Sequence, residues 1–181
     1  MKKNGVSNER ILVLVRHAQA GDPDRFHDET GRPDRERPLT REGVRRNRLA
    51  AAGLRRLLQG VDHIWSSPYT RAVQTAEGLG GCFEHSIETP DALLPPWDRA
   101  ALGSWLDARL SSGQTGILVG HEPDLSFLLG TWLCGGNRRA PVPMEKGAAC
   151  ALRVVEGFGP GTMEMIWKLP QYGLMELSEA R

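Results

Sequence analysis

Residues Ile11 to Val15 form an unbroken apolar run, rich in β-branched side chains and stopped by Arg16-His17. A second run, Gly116 to Gly120, holds Ile-Leu-Val and is followed at once by His121. Strands apolar on every residue must be covered on both faces, the condition met inside an α/β sheet and not at the surface of an antiparallel one. The stretches between them carry helical spacing. Thr40 is placed as an N-cap with Glu42 in the first turn, and Val44, Ala51, Leu54 and Leu58 follow at helical intervals, predicting a helix over roughly 40–58 that ends at Gly60. His63 to Ser66 reads as a short strand, after which Ser67 as cap and Pro68 at the first position start a helix ending near Gly80-Gly81. A strand near 85–88, a helix marked by Trp97, Ala101, Leu102, Trp105 and Leu106, a helix over Pro123 to Leu133, and two late strands, 148–155 and 162–168, paired around Gly157–Gly161, complete the pattern. Strands alternating with helices predict a three-layer α/β/α sandwich with a mostly parallel central sheet. Residues 1–9 and 173–181 read as tails of a single domain over 10–172, and 20–38 as a long polar loop.

In open parallel sheets, ligands sit outside the carboxyl ends of the strands. Arg16-His17, Ser66-Ser67 and His121 each follow a strand and can therefore meet on one rim, with Arg71 in the first turn of the helix after Ser67. Arginine pairs bidentately with phosphate oxygens, and a neutral imidazole keeps a lone pair able to attack phosphorus. Nearby arginines also lower an imidazole's pKa, which keeps that lone pair available at neutral pH. The constellation points to phosphoryl transfer.

Composition narrows the alternatives. The net charge is only +1, although residues 1–60 hold fourteen Lys and Arg against eight Asp and Glu, a balance of +6. An Arg-rich helix face or a rim attracting anionic substrates accounts for that excess, which is too small for a nucleic-acid binder. Three scattered cysteines, Cys82, Cys134 and Cys150, lack metal or disulfide spacing, and no apolar run approaches membrane-spanning length. A reducing, cytoplasmic setting is expected, with no membrane partner.

Val15-Arg16-His17-Ala18 resembles the signature of the histidine phosphatase (phosphoglycerate mutase-like) superfamily. The run from Arg37 to Gly43 (RPLTREG), that from Ser66 to Ala76 (SSPYTRAVQTA) and Val119-Gly-His-Glu-Pro-Asp124 are similar to three further segments of its SixA-type phosphohistidine phosphatases. Lys146 to Ala149 and Trp167 to Pro170 fit their closing strands, so the likeness runs in order from about residue 11 to 170. The resemblance implies that His17 takes the phosphoryl group, that Arg16 and Arg71 hold its oxygens, and that His121 hydrogen-bonds the transferred group. It also implies no metal and no cofactor. Ala18 stands where many relatives have Gly, a change common in the SixA-like group.

Ser67 is expected to cap its helix, with its hydroxyl also available to substrate. Gln74 and Thr75 are expected to orient the Arg71 guanidinium, and Trp97 to line the pocket mouth. His27, in the polar loop, could touch substrate but is more simply solvent-facing, and His63 and His85 are most simply structural. Larger relatives supply a carboxylic acid to the leaving oxygen; Glu88, Asp91 and Asp98 lie in the right stretch, each also explicable as a solvated side chain or, for Asp98, a cap. A departing imidazole needs less protonation than an alkoxide, which favours a protein phosphohistidine substrate. Phosphatase action on small phosphate esters, and a non-catalytic phosphate-binding module, are the alternatives.

Overall fold

The computed structural model describes residues 8–136 and 143–180. The expected tail at 1–9 therefore lies outside the described residues except for Asn8 and Glu9. Five strands form one sheet in the order β2-β3-β1-β4-β5. The strands are β1 (Arg10–Arg16), β2 (His63–Ser66), β3 (Thr115–Gly120), β4 (Ala149–Val154) and β5 (Met163–Leu169). Strands β2, β3 and β1 are mutually parallel, and β4 and β5 run antiparallel to their neighbours, so the sheet is mixed. The antiparallel pair is the late hairpin that the sequence predicts.

Alternation along β1 divides the core. Leu12 and Leu14 face a cluster with Trp65, Leu118 and the apolar sides of α4 (Arg99–Asp107) and α5 (Asp124–Cys134). Val13 and Val15 face the opposite cluster with Ile64, Ile117 and residues of α2 (Arg41–Leu57), α3 (Thr70–Phe83) and α6 (Gln171–Glu179). Both sides of the central strands are thus covered, as their uninterrupted apolar sequence demands. No helix among the described residues is long and apolar enough to cross a membrane.

Three expectations are corrected. The polar stretch 20–38 is not a plain loop. It contains α1 (Pro23–Thr30), capped by Asp22 and closed by Gly31 at φ 66°, and a 3-10 turn over Asp34–Glu36. The stretch 173–181 is not a tail, because α6 packs along α2 with Leu174 only 2% exposed. The crossing is close: a Cβ on Gly53 of α2 would lie 1.7 Å from the Leu174 carbonyl oxygen. Finally, residues 85–88 make only an isolated bridge, Trp65 to Glu88, at the sheet edge. Thr40 does cap α2, accepting from Gly43 N–H, and Asp98 caps α4.

Candidate active site

The chain reverses from strand to loop at His17, and its backbone there is fixed from three directions. His17 N–H donates to the Gly120 carbonyl at the end of β3 (3.0 Å). Ala18 N–H donates to Thr75 Oγ1 in α3 (3.0 Å), whose hydroxyl donates in turn to the Arg71 carbonyl (2.7 Å). Gly147 N–H is shared between the Arg16 and His17 carbonyls, each at 3.1 Å. Gly147 sits at φ 77°, where a side chain would also collide with Gln171.

The His17 ring is set by its own loop. Nδ1 lies 2.7 Å from the Ala18 carbonyl oxygen. A carbonyl only accepts, so Nδ1 carries the proton and Nε2 holds the lone pair. His121, which follows β3, brings its ring within 5.1 Å of the His17 ring, centroid to centroid. A 2.8 Å hydrogen bond joins His121 Nε2 to Ser67 Oγ, and His121 Nδ1 is buried without a hydrogen-bond partner among the described residues. Both imidazoles are only 5% exposed. Burial, and then the charges of Arg71, Arg16 and Arg37, lower the His17 pKa from 6.5 to about 3, against the opposing hydrogen bond that His17 donates to the Ala18 carbonyl. Burial, followed by His17 and Arg71, lowers His121 likewise to about 3. Both rings are therefore neutral at pH 7.

Cations surround this pair. Arg16, Arg37, Arg71 and Lys146 line an open cavity of about 490 Å³ together with His17 and His121. Arg16 Nη1 donates to the Met144 carbonyl (2.8 Å). Arg71 Nη1 donates to both the backbone carbonyl (2.9 Å) and the carboxylate (3.1 Å) of Asp34, while its Nε is buried with no partner among the described residues. The same Asp34 carboxylate accepts from Arg37 Nε (2.7 Å), and Arg37 Nη1 donates to the Gly21 carbonyl. Burial raises the Asp34 pKa, but the hydrogen bond from Arg37 and the charge of Arg71 outweigh it and hold the carboxyl below its ordinary value. The Tyr69 ring lies 5.1 Å from that of His121 and 5.0 Å from the Arg71 guanidinium carbon. A neutral imidazole with an open lone pair, ringed by arginines, can accept a phosphoryl group and spread its charge.

Arg16, His17, Arg71, His121 and Ser67, expected at one site, are brought together. Other expectations shift. Ser67 does not cap α3, which starts at Thr70; its hydroxyl meets His121 instead. Thr75 braces the backbone of Ala18, and Gln74 accepts from Leu39 N–H, so neither holds the Arg71 guanidinium, a task that falls to Asp34. Trp97 is buried against Gly120, its indole donating to the Leu93 carbonyl, and does not line the mouth. Glu88, Asp91 and Asp98 are all outside the cavity lining. His27 and His85 bond to nearby carbonyls, and His63 stacks on Trp65. The carboxylates that do line the cavity are Asp22 and Glu122. Glu122 Oε1 accepts from Ser126 Oγ (2.6 Å) and Met144 N–H (2.8 Å), tying the His121 loop to the segment that holds Arg16. Arg37 stood in plain view at the head of its motif; its side-chain role depends on a contact with Gly21 that no local pattern reveals.

Residues 12–94 match the family described as histidine phosphatase superfamily (branch 1). Phosphohistidine phosphatase SixA of Escherichia coli (strain K12) is 31% identical over 136 residues, which cover 74% of this chain and 81% of that protein. The chain belongs to the histidine phosphatase superfamily. The fold agrees: the protein histidine phosphatase SixA complexed with tungstate superposes with a TM-score of 0.73 at 24% identity, covering 91% of this chain and 99% of that one. A phosphoglycerate mutase from Bacillus anthracis superposes with a TM-score of 0.61 at 11% identity, over 98% and 100% of the two chains. This member of the superfamily is a phosphatase.

Proposed function

We propose that the chain is a protein phosphohistidine phosphatase that passes the phosphoryl group through Nε2 of His17. The observation that carries this is the tautomer lock: the Ala18 carbonyl fixes the proton on Nδ1 and leaves Nε2 nucleophilic. Arg16 and Arg71 hold the equatorial oxygens, with Arg37 adding charge at the cavity wall. His121 donates to the transferring group and stabilises charge as it builds. Water then attacks the phosphohistidine and frees phosphate.

The substrate follows from the leaving group. An alkoxide must be protonated as it departs, whereas imidazole, with an ordinary pKa near 6.5, needs far less help. None of Glu88, Asp91 and Asp98 lines the cavity to supply such a proton; of the two carboxylates that do, Glu122 accepts from Ser126 Oγ and Met144 N–H, and Asp22 accepts from Arg25 N–H. The open cavity mouth suits a phosphorylated side chain carried on a protein. The E. coli relative bears the name phosphohistidine phosphatase, in agreement. The free thiols of Cys82, Cys134 and Cys150 suit a reducing cytoplasmic setting.

Rapid quenching with a radiolabelled phosphohistidine protein should trap acid-labile phosphate on His17. The label should be missing in His17→Ala, and turnover should persist in chelator. Equal turnover by His17→Ala would overturn the intermediate. A clear preference for small phosphate esters over the phosphohistidine protein would overturn the substrate.

A further inference from the structure

Four cations line the cavity and suit the phosphoryl oxygens, but none of them recognises the imidazole that carries the phosphoryl group into it. That task calls for an anion at the mouth, and two carboxylates line the cavity. Glu122 is already engaged by Ser126 and Met144. Asp22 is exposed, and among the described residues only its Oδ1 is used, accepting from Arg25 N–H (3.0 Å) as the cap of α1. Its position is not left to a free loop. Arg37 holds the carbonyl of the adjacent Gly21 and the Asp34 carboxylate, and Asp34 holds Arg71. A continuous polar chain therefore fixes Asp22 relative to an arginine of the phosphoryl pocket.

We propose that Asp22 is a specificity-determining catalytic residue that accepts a hydrogen bond from the substrate imidazole, at the ring nitrogen not bonded to phosphorus. This rests on the phosphohistidine reading above. The substrate enters with that nitrogen protonated, and Asp22 stabilises the cationic ring. The P–N bond then breaks as the bond from phosphorus to His17 Nε2 forms, and the electron pair of the broken bond stays on the departing nitrogen. Because the other nitrogen keeps its proton, the ring leaves as neutral imidazole and no acid need deliver a proton to it. A phosphate ester offers no such N–H, so the contact discriminates between the two substrate classes.

The test compares wild type with Asp22→Asn, using a histidine-containing peptide phosphorylated by phosphoramidate and 4-nitrophenyl phosphate as substrates. Asparagine caps a helix about as well as aspartate, so α1 survives while the charge is lost. Loss of one charge-assisted hydrogen bond should cut the selectivity ratio, kcat/KM for phosphopeptide over aryl phosphate, about tenfold. Asp22→Ala, which also loses the cap, should cut that ratio at least as much. If wild type shows no preference for the phosphopeptide, the proposed function itself fails. If wild type shows the preference and Asp22→Asn keeps it, or both substrates fall in parallel, the role of Asp22 fails and the function stands.

Discussion

Burying two neutral imidazoles makes stability depend on pH, and the His17 share can be isolated. In the unfolded chain a histidine takes up a proton near 6.5, but folded His17 does so only near 3. Between these values the unfolded state binds more protons, so stability is full above about 6.5 and is lost as pH falls toward 3. Moving from pH 7 to pH 5 should cost roughly 2 kcal/mol for His17 alone. Any folded value of 4 or below changes this loss by less than about 0.1 kcal/mol at pH 5. The perturbation is His17→Gln, which cannot titrate and leaves the other groups in both proteins to cancel. Urea unfolding, followed by tryptophan fluorescence, should be run at both pH values in phosphate-free buffer, since a bound oxyanion would stabilise the native state. Wild type should lose about 2 kcal/mol more than the variant on acidification. Losses equal within about 0.5 kcal/mol would refute the claim that His17 is held neutral by its surroundings.

Further outcomes follow from individual contacts. Leu174→Ala should lower stability by about 2–5 kcal/mol in chemical unfolding, because α6 belongs to the core. Gly43→Ala would place a Cβ 2.0 Å from the Gln19 carbonyl oxygen. Backbone must shift there, costing about 1–3 kcal/mol by thermal melting, and kcat should fall because Gln19 lies two residues beyond His17. Asp34→Ala should release Arg71 and Arg37 together and raise KM for an aryl phosphate roughly three- to tenfold, the scale of one ordinary hydrogen bond, because the arginines stay in the cavity but lose their fixed aim.

What could be read from the sequence was whatever depends on local periodicity and caps. The apolar runs of β1 and β3, the Thr40 and Asp98 caps, and the residues at the strand ends all signal through neighbours a few positions away. Helix α1 escaped for the converse reason: none of its residues is buried, so it has no apolar period, and only Asp22-Pro23 and Gly31 mark its ends. Helix α6 escaped because its core contact rests largely on Leu174, with Gln171 buried beside it. The site's supporting contacts were harder still. Asp34 to Arg71 spans 37 positions, Thr75 to Ala18 spans 57, and Arg16 to Met144 spans 128. Only the folded sheet brings such pairs together, and the misassigned roles of Ser67, Gln74 and Trp97 are all of this long-range kind.

The strand that delivers His17 lies at the middle of the sheet, paired with β3 on one side and β4 on the other. Its amides should rank among the slowest to exchange with deuterium, opening only when the whole domain opens. The segment bearing Asp22 and Asp34 buries no residue of α1 and should exchange far sooner. The nucleophile is thus anchored in the least yielding part of the molecule and its arginine brace in one of the most yielding. Exchange kinetics alone would then register an incoming phosphoryl group as slowed deuteration of residues 22–36, with β1 unchanged.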